Sequence, residues 1–289
     1  MHKSLKEHIQ NLLNTPITNV RSISGGDISL AYVLETESQT LFCKVNSHNN
    51  AQTMFSTEQE GLVSIARTQS IATPQIVLCD SLAEDAFLIM EYIGPKRATE
   101  KDMALLGHQL ATLHLSEVHT PSYGWPRDNF IGSLPQSNTQ HHSWCEFYVG
   151  ERLLPQLKMA RDGDTLSNGD IPSEAQLLQR CSKLFPETKP ALLHGDLWSG
   201  NYVIDSKGTP YLIDPAIYMG HHEVDLAMTR LFGGFSDTFY GAYSEHFPSI
   251  PYQRERIEIY QLYYLLVHLN LFGSSYYGSV LSLLKRYFQ

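Results

Sequence analysis

The chain has 289 residues, 21 basic against 30 acidic side chains, 42% apolar residues and four cysteines. That length suits one large domain or two lobes around a sizeable core. With 18% charged and 11% aromatic residues and no low-complexity tract, the composition argues against intrinsic disorder. A formal charge of −9 gives no electrostatic footprint for nucleic acid. No apolar run approaches the roughly 20 residues of a membrane span.

The N-terminal stretch MHKSLKEHIQNLL reads as an amphipathic helix with Leu5, Ile9, Leu12 and Leu13 on one face. It lacks the uninterrupted apolar core and small-residue cleavage site of a signal peptide. Three segments rich in β-formers follow, Ile17 to Ile23, Ser29 to Glu35 and Thr40 to Asn46, separated by SGGD and TESQ. A helix is predicted from about Ala51 to Thr68, with Met54, Phe55, Leu62, Ile65 and Ala66 as core positions. Ile76 to Cys79 and Ala86 to Glu91 read as two more strands. Gly94-Pro95 marks a change of composition, so residues 1–93 are expected to form a small β-rich lobe and residues 94–289 a larger helical one. In the second part, Glu100 to Val118 is strongly periodic and His119 to Gln140 is a long polar loop, a kind that often carries function. Helical patterns resume over Ser143–Ala160 and Ser173–Leu184, a β-rich island spans Ala191 to Ile213, and the remainder reads as helices. Cys43, Cys79, Cys145 and Cys181 are scattered without CxxC spacing, which fits reduced thiols and a cytoplasmic protein.

The informative segment runs from Leu192 to Met228. Two alternating β-segments flank the turn Ser206-Lys207-Gly208-Thr209, a hairpin signal. If Asp205 faces Pro210, Asn201 faces Asp214, and an amide oxygen and a carboxylate come within about 5 Å. Hard oxygen donors without cysteine suit Mg²⁺. Asp196 stands five residues before Asn201, in His194-Gly195-Asp196. The run D-x-x-x-x-N, then a hairpin and a second Asp, fits phosphoryl transfer. In that chemistry Asp196 takes the proton of an acceptor hydroxyl, and Asn201 and Asp214 hold metal. Taken alone, D-x-x-x-x-N is more often the polar end of an ordinary hairpin. The small lobe supplies the rest: Lys44 in the third strand for phosphates, and Glu58 in the following helix as its ion-pair partner. Glu60 lies on a different face. Gly25 and Gly26, in SGGD, offer backbone amides to phosphate, although most Gly-Gly pairs are simply turns. Glu91, Tyr92 and Ile93 at the lobe boundary are placed for a hinge that hydrogen-bonds an adenine. No GxxxxGK[ST] occurs, which disfavours a P-loop enzyme.

HGDLWSGN (194–201) and IDPAIYMGHHEVDLAM (213–228) form a specific combination. GWPRDNFIG (124–132), PQSN (135–138), W-x-x-F-Y from Trp144, ERLLPQL (151–157), GGDIS (25–29), FCKVN (42–46) and FSTEQEGL (55–62) accompany them. Together these motifs resemble the fructosamine kinase family (ketosamine-3-kinases), a branch of the aminoglycoside-phosphotransferase and protein-kinase-like fold, over residues 22 to 235. The resemblance implies an α+β, bilobal fold: a small antiparallel sheet lobe, a larger mainly helical lobe, and ATP with Mg²⁺ in the cleft. It implies transfer of the γ-phosphate to the 3-hydroxyl of a ketoamine of the fructosamine or ribulosamine type, free or on a glycated protein lysine, which primes the glycated amine for release. Asp196 carries over as base, Asn201 and Asp214 as Mg²⁺ ligands, Lys44 and Glu58 as the phosphate-binding pair, and Glu91 to Ile93 as hinge. The metal motif is Asp-Pro in place of Asp-Phe-Gly, and no APE motif follows, which points away from a regulated protein kinase. Trp125, Arg127, Asp128 and Asn129 fall in a matching loop and are candidates for acceptor binding. Trp198 either stacks on a sugar face or packs its loop onto the large lobe.

Asp225 is expected to anchor or cap the catalytic loop, and His114 and His268 to be satisfied or surface histidines. Three other readings remain: a kinase of the same fold acting on an aminoglycoside, choline or another sugar; a nucleotide-binding regulatory module without turnover; and a metal-dependent hydrolase. The last would use His194, Asp196, Asp214, His221, His222 and Glu223. Against it stand the adjacency of His221 and His222 and the lack of HxxxH spacing.

Overall fold

The structure is a computed structural model describing residues 1–23, 29–117 and 121–289. A first helix, α1 (Lys3–Leu13), leads into β1 (Ile17–Ile23), β2 (Leu30–Thr36) and β3 (Thr40–Asn46). Helix α2 (Ala51–Arg67) and strands β4 (Ile76–Leu82) and β5 (Asp85–Glu91) complete the small lobe. The five strands form one antiparallel sheet in the order β1-β2-β3-β5-β4. Successive strand residues point to opposite faces, and each face here meets a helix. Phe87 and Ile89 of β5 pack with Leu5 and Ile9 of α1, whereas Ala86, Leu88 and Met90 meet Ala51, Phe55 and Leu62 of α2. In β3, Cys43 and Val45 join the α1 side, so the alternation turns Lys44 toward α2. The buried stripes are narrower than expected. Met54 is half-buried, and Ala66 and Leu12 are exposed, because each helix lies on a single sheet face.

The larger lobe begins with α3 (Glu100–Leu115), started by a capping box between Thr99 and Asp102. The segment expected as an uninterrupted loop contains a short hairpin, β6 (Asn129–Ile131) and β7 (Leu134–Gln136). The helical run from Ser143 is α4 (Trp144–Phe147), a π-helical turn (Tyr148–Leu153) and α5 (Leu154–Asp162). Pro155 opens α5, and its missing N–H is tolerated at a first turn. Next come α6 (Glu174–Leu184), β8 (Ala191–Leu193), β9 (Tyr202–Ile204), β10 (Pro210–Leu212) and β11 (Tyr218–Gly220). Then follow α7 (Glu223–Leu231), α8 (Asp237–Ser244), α9 (Gln253–Phe272), a 3₁₀ turn (Ser274–Tyr276) and α10 (Tyr277–Phe288). Strand β8 pairs with β11, not with its chain neighbour, which brings the ends of the β-rich island together. Helix α9 buries residues all round, including Ile259, Tyr260, Leu262, Tyr263 and Leu266, as a central core helix does. No helix among the described residues is long and apolar enough to cross a membrane.

Candidate active site

The β9–β10 hairpin is displaced by one residue from the predicted register. Ile204 pairs with Pro210, Val203 with Tyr211 and Tyr202 with Leu212. Asp205 therefore closes on Thr209, and Ile213 rather than Asp214 faces Asn201, its N–H donating to the Asn201 carbonyl at 3.0 Å. The cause is local. Asp205 Oδ1 accepts the N–H groups of Lys207 and Thr209 at 2.9 and 2.8 Å, which shortens the loop to Ser206-Lys207-Gly208. Asp214 lies one residue beyond the pair, at φ 56°, a left-handed conformation that is costly outside glycine. It still lines the same cleft as Asn201 and Asp196.

The loop from His194 to Asn201 is anchored beneath by Asp225 at the start of α7, as expected. This fully buried carboxylate accepts the N–H of His194 (2.8 Å), the N–H of Gly195 (2.9 Å) and Nε2–H of His114 (3.0 Å). Burial alone would raise its pKa, but His114 and the Gly195 N–H bring it below the ordinary value. His114 contacts Asp225 through Nε2 and the Tyr243 hydroxyl through Nδ1 at 2.7 Å, so it is the satisfied histidine foreseen. Gly195 has φ 82°, and a Cβ there would stand 2.1 Å from the Ala216 carbonyl oxygen, so only glycine fits. His194 donates Nε2–H to the Ile213 carbonyl (2.8 Å) and accepts the Asp196 N–H on Nδ1 (3.2 Å). Burial lowers its pKa, which keeps it the neutral bridge between the loop and the Asp214 segment.

Burial, then the charge of Asp214, pushes the Asp196 carboxyl up to about 7, against the hydrogen bond from Asn201. Asn201 Nδ2–H donates to the Asp196 carbonyl (2.7 Å) and Oδ2 (3.3 Å), which turns the amide oxygen away from Asp196. Opposite, Lys44 Nζ donates to Glu58 Oε1 (2.7 Å) and Asp214 Oδ1 (2.5 Å). Burial alone would depress the Lys44 ammonium, but the Asp214 and Glu58 carboxylates outweigh it and hold the group above its ordinary value. Burial raises Glu58, with Lys44 opposing. Glu91, Tyr92 and Ile93 line the same cleft, of about 1000 Å³. The Glu91 N–H donates to the Gln75 carbonyl at 2.8 Å, and its carboxylate accepts the Gln75 N–H at 3.3 Å. Gly25 and Gly26 lie outside the described residues.

The candidates for acceptor binding divide. Trp198 lines the cleft at 36% exposure, its ring lying across Gly200. Trp125, Asp128 and Asn129 do not line it; their neighbours Phe130, Ile131 and Gly132 do. In this structure these three side chains are engaged away from the cleft wall. Trp125 Nε1–H donates to Glu60 (2.9 Å), Asp128 accepts the Asn138 N–H (2.8 Å), and buried Asn129 donates to the Ile217 carbonyl (2.8 Å). Polar side chains in a loop laid over a buried strand must satisfy backbone groups there. Phe232, His268, Phe272 and Tyr276 also line the cleft and carried no motif signal. The His268 ring is 4.8 Å from Phe232, 5.5 Å from Phe272 and 5.1 Å from Tyr276, between centroids, and Nδ1–H donates to the Tyr264 carbonyl at 2.7 Å. His268 is thus satisfied on one nitrogen, as expected, yet belongs to the cleft.

His221, His222 and Glu223 place ligand atoms within 4.8 Å of one another. None of them lines the cleft with Asp196 and Asp214. His221 meets the Tyr260 hydroxyl (3.0 Å), His222 the Tyr243 hydroxyl (2.9 Å), and Glu223 pairs with Arg256 (2.6 Å). The six-residue cluster weighed for a hydrolase is not assembled.

A cleft between an antiparallel sheet and a helical lobe, with a buried Lys–Glu pair facing a loop–hairpin–Asp unit, is the arrangement of the protein-kinase-like phosphotransferases. The aminoglycoside phosphotransferase APH(4)-Ia shares this fold, with a TM-score of 0.63 and 16% identity over 98% of each chain. A candidate fructosamine-3-kinase from Haemophilus somnus 129PT superposes with a TM-score of 0.86 at 26% identity, covering 98% of this chain and 96% of that one. The "Probable ketoamine kinase" of Lactiplantibacillus plantarum is 37% identical over 98% of this chain and 99% of its own length. The family model for fructosamine kinase matches residues 1–289, and the chain belongs to the fructosamine kinase family.

Proposed function

We propose that this chain is an ATP- and Mg²⁺-dependent kinase that phosphorylates the sugar 3-hydroxyl of a ketoamine of the fructosamine or ribulosamine type. Residues 1–93 then form the nucleotide-binding lobe and residues 94–289 the lobe with the catalytic loop and acceptor site. The observation that carries this reading is the convergence of Asp196, Asn201, Asp214 and Lys44 on one cleft, in a member of this family.

The Asn201 amide oxygen and the Asp214 carboxylate are hard donors that fit Mg²⁺, which when bound neutralises phosphate charge. Lys44, kept charged and oriented by Glu58, exchanges its contact with Asp214 for the α- and β-phosphates. Gly25 and Gly26 cover the phosphates, and Glu91 to Ile93 receive the adenine. Asp196 accepts the proton of the acceptor hydroxyl as its oxygen bonds to the γ-phosphorus and the bridging P–O bond to ADP breaks. Holding that hydroxyl in line is the larger part of catalysis in such sites. Trp198, Phe232, Phe272 and Tyr276 provide flat apolar faces for the sugar. The amine substituent, of a small molecule or a protein lysine, leaves toward the exposed rim. Four free cysteines suit a reducing compartment, the cytoplasm.

The test is Mg²⁺-dependent ATP consumption against fructose-lysine, ribulose-lysine, free sugars, choline and an aminoglycoside, with Asp196→Asn as control. Turnover confined to the ketoamines and lost in the variant is expected. Turnover on a different acceptor would reassign the substrate, and ATP binding without turnover on any acceptor would favour a regulatory module.

A further inference from the structure

Helix α2 carries Glu58, and it is gripped from the large lobe two residues further on. Glu60 accepts Trp125 Nε1–H at 2.9 Å and pairs with Arg127 Nε at 2.5 Å. The segment bearing Trp125 and Arg127 is itself fastened to the strand that follows Asp214. Gly124 and Met219 exchange two backbone hydrogen bonds of 2.9 Å, Asn129 donates to the Ile217 carbonyl, and Gln136 donates to the Ala216 carbonyl at 3.2 Å. Buried side chains close this bracket. Asn138 donates to Asn129 Oδ1 (3.0 Å) and accepts from Arg152 (2.7 Å), and the Tyr263 hydroxyl donates to Gln136 (2.6 Å). On the inner side, Gly61 of α2 comes so close to Pro215 that a Cβ would stand 2.9 Å from the proline Cγ. One bracket therefore spans α2 and the Asp214-Pro215 segment, and both groups that Lys44 touches hang from it.

We infer that Glu60, Trp125 and Arg127 form a clasp that fixes α2 where Glu58 holds Lys44, which makes them positioning residues for phosphoryl transfer. The inference rests on the reading of Lys44 and Glu58 as the phosphate-binding pair. It gives the loop motif GWPRDNFIG a role that does not involve touching the acceptor. Within the clasp the Trp125 bond dominates. Arg127 is 59% exposed, and an ion pair so open to water contributes little. Trp125 is half-buried against the core, where a hydrogen bond to a carboxylate is stronger.

The experiment is a double-mutant cycle on kcat/KM for ATP in the ketoamine-dependent reaction. Glu60→Ala should lower it about ten-fold, the loss of a charge-assisted bond. Glu60→Gln keeps an acceptor for Trp125 and should restore most of that loss. Trp125→Phe keeps the ring but not the donor, and should lose roughly three- to ten-fold; it also serves if Glu60→Ala folds poorly. Because the clasp acts through Glu58, adding Glu60→Ala to Glu58→Ala should cost nothing further. Losses that multiply in the double variant, or wild-type kinetics for Glu60→Ala and Trp125→Phe beside an impaired Glu58→Ala, would overturn the clasp alone. An unimpaired Glu58→Ala would overturn the pair and the clasp together.

Discussion

Replacing Asp225 with asparagine isolates how firmly the catalytic loop must be held. The carboxylate receives three donors on two oxygens: His194 N–H and His114 Nε2–H on Oδ2, and Gly195 N–H on Oδ1. Asparagine is isosteric but has one oxygen. With that oxygen facing His194 and His114, its NH₂ meets the Gly195 N–H, donor against donor. Each buried donor left unsatisfied costs about 1–3 kcal/mol, and the remaining bonds lose their charge assistance. A total of about 3 kcal/mol, felt in the loop that carries Asp196, corresponds to roughly a hundred-fold in rate. Lys44, Glu58 and the hinge do not touch Asp225, so nucleotide affinity should survive. The assay is kcat on the preferred ketoamine beside a calorimetric titration with ADP. Wild-type kcat would refute the anchoring argument. Equal losses of kcat and ADP affinity would show that the damage reaches well beyond the loop.

Three further outcomes are expected. Asp196→Asn should keep ADP affinity while kcat falls by about a thousand-fold, within the usual range for a general base; a variant retaining a large fraction of the rate removes Asp196 from that role. Asp214→Ala should abolish the part of ADP affinity that Mg²⁺ confers, so titrations with Mg²⁺ and with chelator should coincide; a persisting Mg²⁺ effect assigns the metal elsewhere. Phe232→Ala combined with Phe272→Ala should raise KM for the ketoamine about ten-fold, from lost aromatic contact, with KM for ATP unchanged. A change in the ATP constant alone would move the sugar away from that wall.

Much of the site was legible because its parts obey local rules. Strand alternation and helix periodicity place Lys44 and Glu58 on facing surfaces, and the hairpin residues between Asn201 and Asp214 bring those two to one end. The spacing of Asp196 and Asn201 lies within a single loop, so no distant contact had to be known. The one-residue error in register came from a side chain: Asp205 captures two N–H groups of its own turn, and side-chain hydrogen bonds of that kind compete with strand pairing. The segment around the start of β6 was less legible for a different reason. Its polar residues resemble ligand-binding groups in sequence, but the fold engages Asn129 with the carbonyl of Ile217, just ahead of β11 and far along the chain, and Trp125 with Glu60 in the other lobe. The aromatic wall of Phe232, His268, Phe272 and Tyr276 is assembled from the end of α7, the last turns of α9 and the 3₁₀ turn, with no shared spacing to mark it. Periodicity, turn chemistry and short motifs act between residues close in sequence, and for those the sequence alone is sufficient. Which polar group pairs with a distant one, and which aromatics share a cleft, is decided by how the helices pack, and only the tertiary structure contains that.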